Sequence, residues 1–239
     1  MRVAVDTGTE VGNRMARVML GEPSVSFLGV LAGGVPNRAR TGPVEDLDSF
    51  DVLVSDGTSE FHSLVGRSSV AGIPLVLWRE IDPTLDGSSQ APVIYGANVA
   101  NALTAALTTH PDVAITPSDS VRIGWTEPGA PMRRGEPIPF PEPVGSSWAK
   151  RRKSGQFVAF REDEWGGAVV DVEGDAGRRI VGVADHSAYI EAITLAAVGL
   201  LAAEGAYGPR IQNTAQHPAQ LLAKVTELEL EVAVWRSTE

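Results

Sequence analysis

The run Val3-Ala4-Val5-Asp6-Thr7-Gly8-Thr9-Glu10-Val11-Gly12 has residue types and a spacing suited to binding an anion. An apolar stretch breaks into a turn with glycines at 8 and 12 and then into helical spacing. The first turn of a helix carries backbone N–H groups without intrahelical partners and the positive end of the macrodipole. A pyrophosphate can settle there when small residues let it approach. Gly8 and Gly12 give that access, and Thr9, Glu10 and Val11 supply the amides between them. The fit to G-x-G-x-x-G is incomplete. With Gly8 as the second glycine the first is Asp6 and the third is Val11, and anchoring on Gly12 puts Asp6 and Thr9 at glycine positions. A cofactor cradle and an ordinary strand-to-helix turn therefore both suit the residues, and Asp6 beside a phosphate must turn away or bind a ribose hydroxyl.

Other residues with chemistry stand farther along. His186 stands at the start of a long helix and carries an imidazole, a group suited to proton transfer, and Tyr189 lies one turn on; the alternative for both is a helix-start side chain with no ligand. The basic run Lys150 to Lys153 could hold a carboxylate, though such runs are more often solvated loops. Arg38 and Arg40 are the only charged residues between Leu31 and Thr41. In a dinucleotide site of this layout an acid there grips the ribose hydroxyls and its replacement by arginine favours a 2′-phosphate. The expected cofactor is NADP(H), with NAD(H) as the alternative.

The elements that must position these residues follow from hydrophobic pattern. A helix runs on from Val11 with Met15, Val18 and Met19 on one face and stops at Gly21. Strands are expected at Ser24–Leu31, Asp51–Ser55, Ile73–Trp78 and Ala91–Tyr95, with helical spacing through Phe61, Leu64, Val65 and Val70. Alternating strands and helices indicate a parallel sheet covered on both faces, whose ligands bind beyond the carboxyl ends of the strands. That rule gathers Asp56, Gly57, Thr58, Trp78, Ala97 and Asn98 on the edge that carries Gly8 and Gly12. Beyond residue 108, Asp112–Thr116 and Val121–Trp125 read as strands, and the proline-rich stretch from Glu127 to Gly145 reads as an extended loop. Gln156–Phe160, Ala168–Glu173 and Arg178–Ala184 suggest an antiparallel meander. A long apolar helix over Ala188–Glu204, a short one over Pro218–Glu227 and a strand over Leu228–Trp235 complete the chain. The expected architecture is α/β: a Rossmann-type domain over 1–108, an α+β domain with an open mixed or antiparallel sheet over 109–207, and a segment 208–239 packing back on the first.

Composition sets the outer bounds. The 239 residues are 43% hydrophobic and 21% charged, ordinary for a globular protein with one large or two small domains. With no cysteine there is no disulfide or thiolate chemistry, and the four histidines are too scattered for a local metal motif, so no metal is expected. A formal charge of −10 argues against nucleic acid or an anionic membrane as the main partner. The N-terminus enters a strand directly, so a cytoplasmic location is expected. The apolar helix and the open second sheet favour a homo-oligomer.

The stretches DVLVSDGT at 51–58, AGIPLVLW at 71–78 and APVIYGANVANALTAAL at 91–107 resemble the 4-hydroxy-tetrahydrodipicolinate (dihydrodipicolinate) reductases and their oxidoreductase relatives. The resemblance covers about the first 107 residues and agrees in order and spacing. It implies a nicotinamide-binding domain, with Gly8, Gly12, Thr58 and Asn98 on positions that line the cofactor site. It also implies a small-molecule substrate. The His-His pair, lysine and Pro-Ser-Gly-Thr turn that bind substrate in that family have no counterpart in 109–155; Glu127, Arg133 and Arg134 occupy that region by position only. The tail, from the long helix to the short one, looks like that of saccharopine-dehydrogenase-type proteins.

Overall fold

The computed structural model describes residues 1–33, 39–81, 91–128, 149–151, 156–161 and 165–237. The chain divides into two compact units, Met1–Asn98 with Glu191–His217, and Val99–Ile190 with Pro218–Glu239.

The first unit is built on a seven-stranded parallel sheet. Its strands are β1 (Arg2–Asp6), β2 (Phe27–Ala32), β3 (Thr41–Pro43), β4 (Val52–Ser55), β5 (Leu75–Leu77), β6 (Val93–Tyr95) and, from far along the chain, β12 (Ile211–Asn213). Their order in space is β12-β6-β5-β4-β1-β2-β3. Strands covered on both faces need continuous apolar runs, and these have them: Val3, Ala4 and Val5, like Val52, Leu53 and Val54, are wholly buried. One face packs Ala4, Leu53, Leu75 and Val93 with Leu64 of α2 (Phe61–Ala71). Toward the other face, the α-carbon of Gly199 on α4 (Ser187–Ala203) comes so close to Met19 of α1 (Glu10–Gly21) and to Val54 that a Cβ would lie 2.6 and 2.8 Å from their side chains. Val70, placed by its spacing on the buried side of α2, is exposed instead, because α2 turns only Leu64 and Ser68 fully inward.

The second unit holds a six-stranded sheet in the order β13-β11-β10-β7-β9-β8. The new strands are β7 (Ser120–Pro128), β8 (Ala149–Arg151), β9 (Gln156–Arg161), β10 (Trp165–Gly174), β11 (Gly177–His186) and β13 (Ala233–Ser237). β10 and β11 form a hairpin in register from Trp165 opposite His186 to Gly174 opposite Gly177. The expected meander is corrected, because β9 runs parallel to β7 and does not neighbour β10, so the sheet is mixed. Asp171 on β10 is fully buried and is paired by Arg178, through Nε at 2.9 Å and Nη2 at 2.8 Å, and by Arg122 at 2.5 Å. A π-helical turn (Val99–Leu103), the single turn α3 (Thr104–Leu107) and α5 (Pro218–Glu227) belong to the same unit.

Two other expectations are also corrected. Asp112–Thr116 is not a strand: the Asp112 amide donates to His110 Nδ1 and the Thr116 amide to Asp119 Oδ2, local bonds that compete with a ladder. The last strand begins at Ala233, because 228–230 close α5, with the Leu228 and Leu230 amides donating to the Lys224 and Val225 carbonyls and Glu229 at φ 65°. The first compact unit runs to Asn98 and takes in part of the C-terminal segment. Residues to His217 join the first unit through β12, whereas β13 pairs with β11 in the second. The long helix is divided too, with Glu191 onward in the first unit.

Candidate functional site

Parallel strands put all their carboxyl ends on one edge, and in the first unit that edge carries the glycine loop after β1 and the turn after β4. At the loop, Thr9 caps α1: its Oγ1 accepts from the Gly12 amide at 3.2 Å. The same hydroxyl donates to Asp56 Oδ2 at 2.7 Å. That carboxylate oxygen also accepts from the Gly8 amide at 2.8 Å and the Thr9 amide at 2.7 Å. The other oxygen, Oδ1, accepts from the Thr58 amide at 3.1 Å and the Thr58 hydroxyl at 2.6 Å. Asp56 is fully buried, yet its carboxyl is held below its ordinary pKa. Burial alone would raise it; the Thr58 hydroxyl, the Gly8 and Thr9 amides and the Thr9 hydroxyl together outweigh burial.

The glycines of the motif fit these side chains closely. A Cβ on Gly12 would lie 2.2 Å from Asp56 Oδ2, and one on Gly8 would lie 2.4 Å from Thr58 Oγ1 and Cγ2. Asp6, the carboxylate in the glycine place, turns away from the loop amides, as a carboxylate beside a phosphate would have to. It is fully buried and accepts from Ser55 Oγ at 2.6 Å, from Ser59 Oγ at 2.5 Å and from the Ser59 amide at 3.2 Å. Sequence reasoning missed Ser55 and Ser59. The signal was the polar run Ser55 to Ser59 directly after the apolar run Val52 to Val54, where buried polar groups must find partners.

The remaining strand ends are tied by backbone and amide bonds. Asn98 Nδ2 donates to the Trp78 carbonyl at 3.0 Å, Trp78 Nε1 donates to Glu191 Oε2 at 2.8 Å, and the Ala97 amide donates to the Leu77 carbonyl at 3.0 Å. Gly57 adopts φ 82° against the Arg79 side chain. After β2, Gly33 has φ 96° and a Cβ there would overlap the Thr7 carbonyl. Glu10 is exposed and pairs with Arg14 at 2.8 Å, while Val11 is buried in the core. Arg40 donates Nη1 to the Val25 carbonyl at 2.5 Å and Nη2 to the Leu20 carbonyl. Its guanidinium is thereby engaged by the protein itself.

In the second unit the His186 ring stacks on Trp165 at 4.7 Å between centroids, and its amide donates to Asp185 Oδ1 at 2.6 Å. Tyr189 is half-buried, and its hydroxyl pKa is raised by that burial and by Asp185 and Glu229. Glu127 lies on β7 and Lys150 on β8, as backbone positions. Arg38, Arg133, Arg134, Lys153 and most of the proline-rich stretch lie outside the described residues. Among the described residues no group of three His, Asp or Glu could hold a metal ion, and no helix is long and apolar enough to cross a membrane.

A glycine-bearing strand-to-helix turn at the centre of a seven-stranded parallel sheet, in a chain whose other unit is an open mixed sheet, defines a two-unit α/β fold of Rossmann type. No family model and no curated protein matches the sequence. Solved structures share the fold. Dihydrodipicolinate reductase from Paenisporosarcina sp. TG-14, with dipicolinate bound, matches 89% of this chain and 97% of its own at 12% identity and a TM-score of 0.50. C. glutamicum DAP dehydrogenase in complex with DAP matches 92% and 95% at 10% identity and a TM-score of 0.55. Homospermidine synthase from Legionella pneumophila, in complex with NAD, matches 99% and 91% at 8% identity and a TM-score of 0.56. The resemblance to dihydrodipicolinate reductases read from 51–107 is thus met by likeness of fold over nearly the whole chain.

Proposed function

We propose that the protein is an NAD(P)-dependent oxidoreductase moving a hydride to or from a small, carboxylate-bearing imine or carbonyl. The observation that carries this reading is the strand edge itself. The glycine loop, the 56–58 turn and the Trp78 and Asn98 backbone lie at the carboxyl ends of adjacent parallel strands, where sheets of this order take dinucleotides. The fit at the pyrophosphate position fails as the side chains stand, because the Gly8 and Thr9 amides already donate to Asp56. His186, Tyr189 and Glu127 are the candidate proton donors. Lys150, Lys153, Arg133 and Arg134 are the candidates for a substrate carboxylate. Preference for NADP(H) rests on Arg38, since Arg40 is engaged by the Leu20 and Val25 carbonyls. In this reading the protein is cytoplasmic and a homo-oligomer, the latter through the open sheet of the second unit.

The test is a titration with NADPH and NADH followed by nicotinamide fluorescence. Saturable binding supports the reading, and none at millimolar cofactor, in the parent or in Asp56→Ala, overturns it. A second reading has its own observation. The Asp56 carboxylate in the cradle favours a protein that keeps the fold without the redox chemistry and binds a nucleotide or a protein partner. That reading gains if both proteins fail to bind either cofactor.

A further inference from the structure

We propose that Asp56 is an internal occupant of the anion seat on the glycine loop, and that it determines which ligands the strand edge accepts. A pyrophosphate binds there only when this side chain swings out. The proposal deepens the dinucleotide reading and rests on it for the identity of the ligand, but not for the occupancy itself.

Three observations carry it. First, Oδ2 lies 2.8 and 2.7 Å from the Gly8 and Thr9 nitrogens, and these amides are the donors a phosphate oxygen would use. One N–H cannot serve two anions at full strength, and an arriving phosphate would meet a carboxylate of the same sign. Second, the loop is shaped around this side chain. The missing Cβ of Gly12 is the space that Asp56 Oδ2 fills, and the missing Cβ of Gly8 is the space that Thr58 fills. The glycines that suggest a phosphate cradle in the sequence are thus accounted for by an aspartate and a threonine of the same chain. Third, the side chain is held from both ends. Thr58 donates its amide and hydroxyl to Oδ1, and Gly57, at φ 82°, makes the tight turn that brings Thr58 back over Asp56. Leaving the seat breaks five hydrogen bonds at once, so occupancy is the ground state, and a ligand must offer enough contacts elsewhere to displace it. Ligands lacking an anionic group at this point meet no such competition.

The experiment compares the parent with Asp56→Ala and Thr58→Val, using NADPH and, separately, inorganic pyrophosphate as probes. Binding is read by calorimetry and by the amide resonances of Gly8, Thr9, Gly57 and Thr58. Asp56→Ala is expected to bind both probes at least tenfold more tightly than the parent. Thr58→Val, which loosens the carboxylate without removing it, should fall between. In the parent, saturation with NADPH should move the Gly57 and Thr58 resonances together with those of Gly8 and Thr9. Parent binding of NADPH as tight as that of Asp56→Ala overturns the proposal while leaving the oxidoreductase reading intact. Pyrophosphate binding that rises in Asp56→Ala with no NADPH binding in any variant supports the proposal and sinks the oxidoreductase reading. If Asp56→Ala does not fold, the parent and Thr58→Val decide. NADPH bound to the parent with Gly57 and Thr58 unmoved, or Thr58→Val no tighter than the parent for either probe, overturns it.

Discussion

Gly12→Ala puts the packing of the loop to a quantitative test. On an ordinary helix the change is favourable, since Ala exceeds Gly by about 1 kcal/mol in a helix interior. Here the new methyl carbon would lie 2.2 Å from Asp56 Oδ2 and 2.8 Å from Cγ, so Oδ2 must turn out of the loop while Oδ1 keeps its bonds to Thr58. The bonds lost from Oδ2 are those from the Gly8 amide, the Thr9 amide and the Thr9 hydroxyl. At roughly 1–1.5 kcal/mol each after the released oxygen regains water, they sum to about 3–4.5 kcal/mol. Subtracting the helix gain of about 1 kcal/mol leaves the variant about 2–3.5 kcal/mol less stable at neutral pH. The pH dependence gives a second signature. The Asp56 carboxyl has its folded pKa depressed below 3.8, so its stabilising contribution is fully present above that value and is lost as pH falls through the lower folded pKa. The gap between parent and variant should therefore close in acid. Urea unfolding by circular dichroism at pH 7 and near pH 3 measures both. A variant as stable as the parent at pH 7, or a gap that is unchanged in acid, would refute the seating of Asp56 in the loop.

Gly33→Ala should destabilise by about 2 kcal/mol or more, because φ 96° disfavours any side chain and its Cβ would overlap the Thr7 carbonyl; an unfolding midpoint equal to the parent's would contradict this. Asp171→Ala leaves Arg122 and Arg178 without their buried partner. Both arginines reach water, so the expected loss is near the lower end of the usual range, about 3 kcal/mol, and a loss under 1 in chemical denaturation would show that the pairs carry little. Arg40→Ala should lower stability and leave the NADPH-to-NADH affinity ratio unchanged, whereas Arg38→Ala should reduce that ratio; the opposite pattern in paired titrations would reassign the phosphate contact. Tyr207 is buried, its hydroxyl has no partner among the described residues, and burial pushes its pKa from 10.0 up to about 12. The unfolded chain ionises this hydroxyl near pH 10 and the folded one near 12, so the parent loses stability as pH rises between them; Tyr207→Phe should resist alkali better and, with no unpaired hydroxyl to bury, gain about 1 kcal/mol at neutral pH, and a less stable variant would contradict the unpaired hydroxyl.

The elements legible in the sequence are those whose pattern is local. The apolar runs within β1, β4 and β5 read as strands because both faces of a parallel sheet are buried, and Pro218 marks the start of α5. β3 and β12 were missed because Thr41–Pro43 and Ile211–Asn213 are three-residue edge strands fixed by pairing with β2 and β6, not by periodicity. The parallel β7–β9 pair was missed for the same reason, since alternation does not tell one neighbour from another. At the loop, the sequence leaves Asp6 to turn away or to bind a ribose hydroxyl and does not name Ser55 and Ser59 as its partners, and it puts Asp56 on the edge without giving its partner. Gly8 and Asp56 stand 48 residues apart, and only the adjacency of β1 and β4 brings them together.

The seventh strand of the first sheet has a consequence for biosynthesis. A ribosome emits β1 through β6 early, yet β12 lies beyond residue 210, after the whole hairpin of β10 and β11. Until then the free edge of β6, with Val93 and Ile94 in its core, has no strand beside it, and the Met19–Val54 surface waits for Gly199. Exposed edges of this kind invite pairing with other nascent chains. The N-terminal half therefore cannot be finished while it is being made, and truncated products ending before about residue 200 should depend on chaperones to stay dispersed.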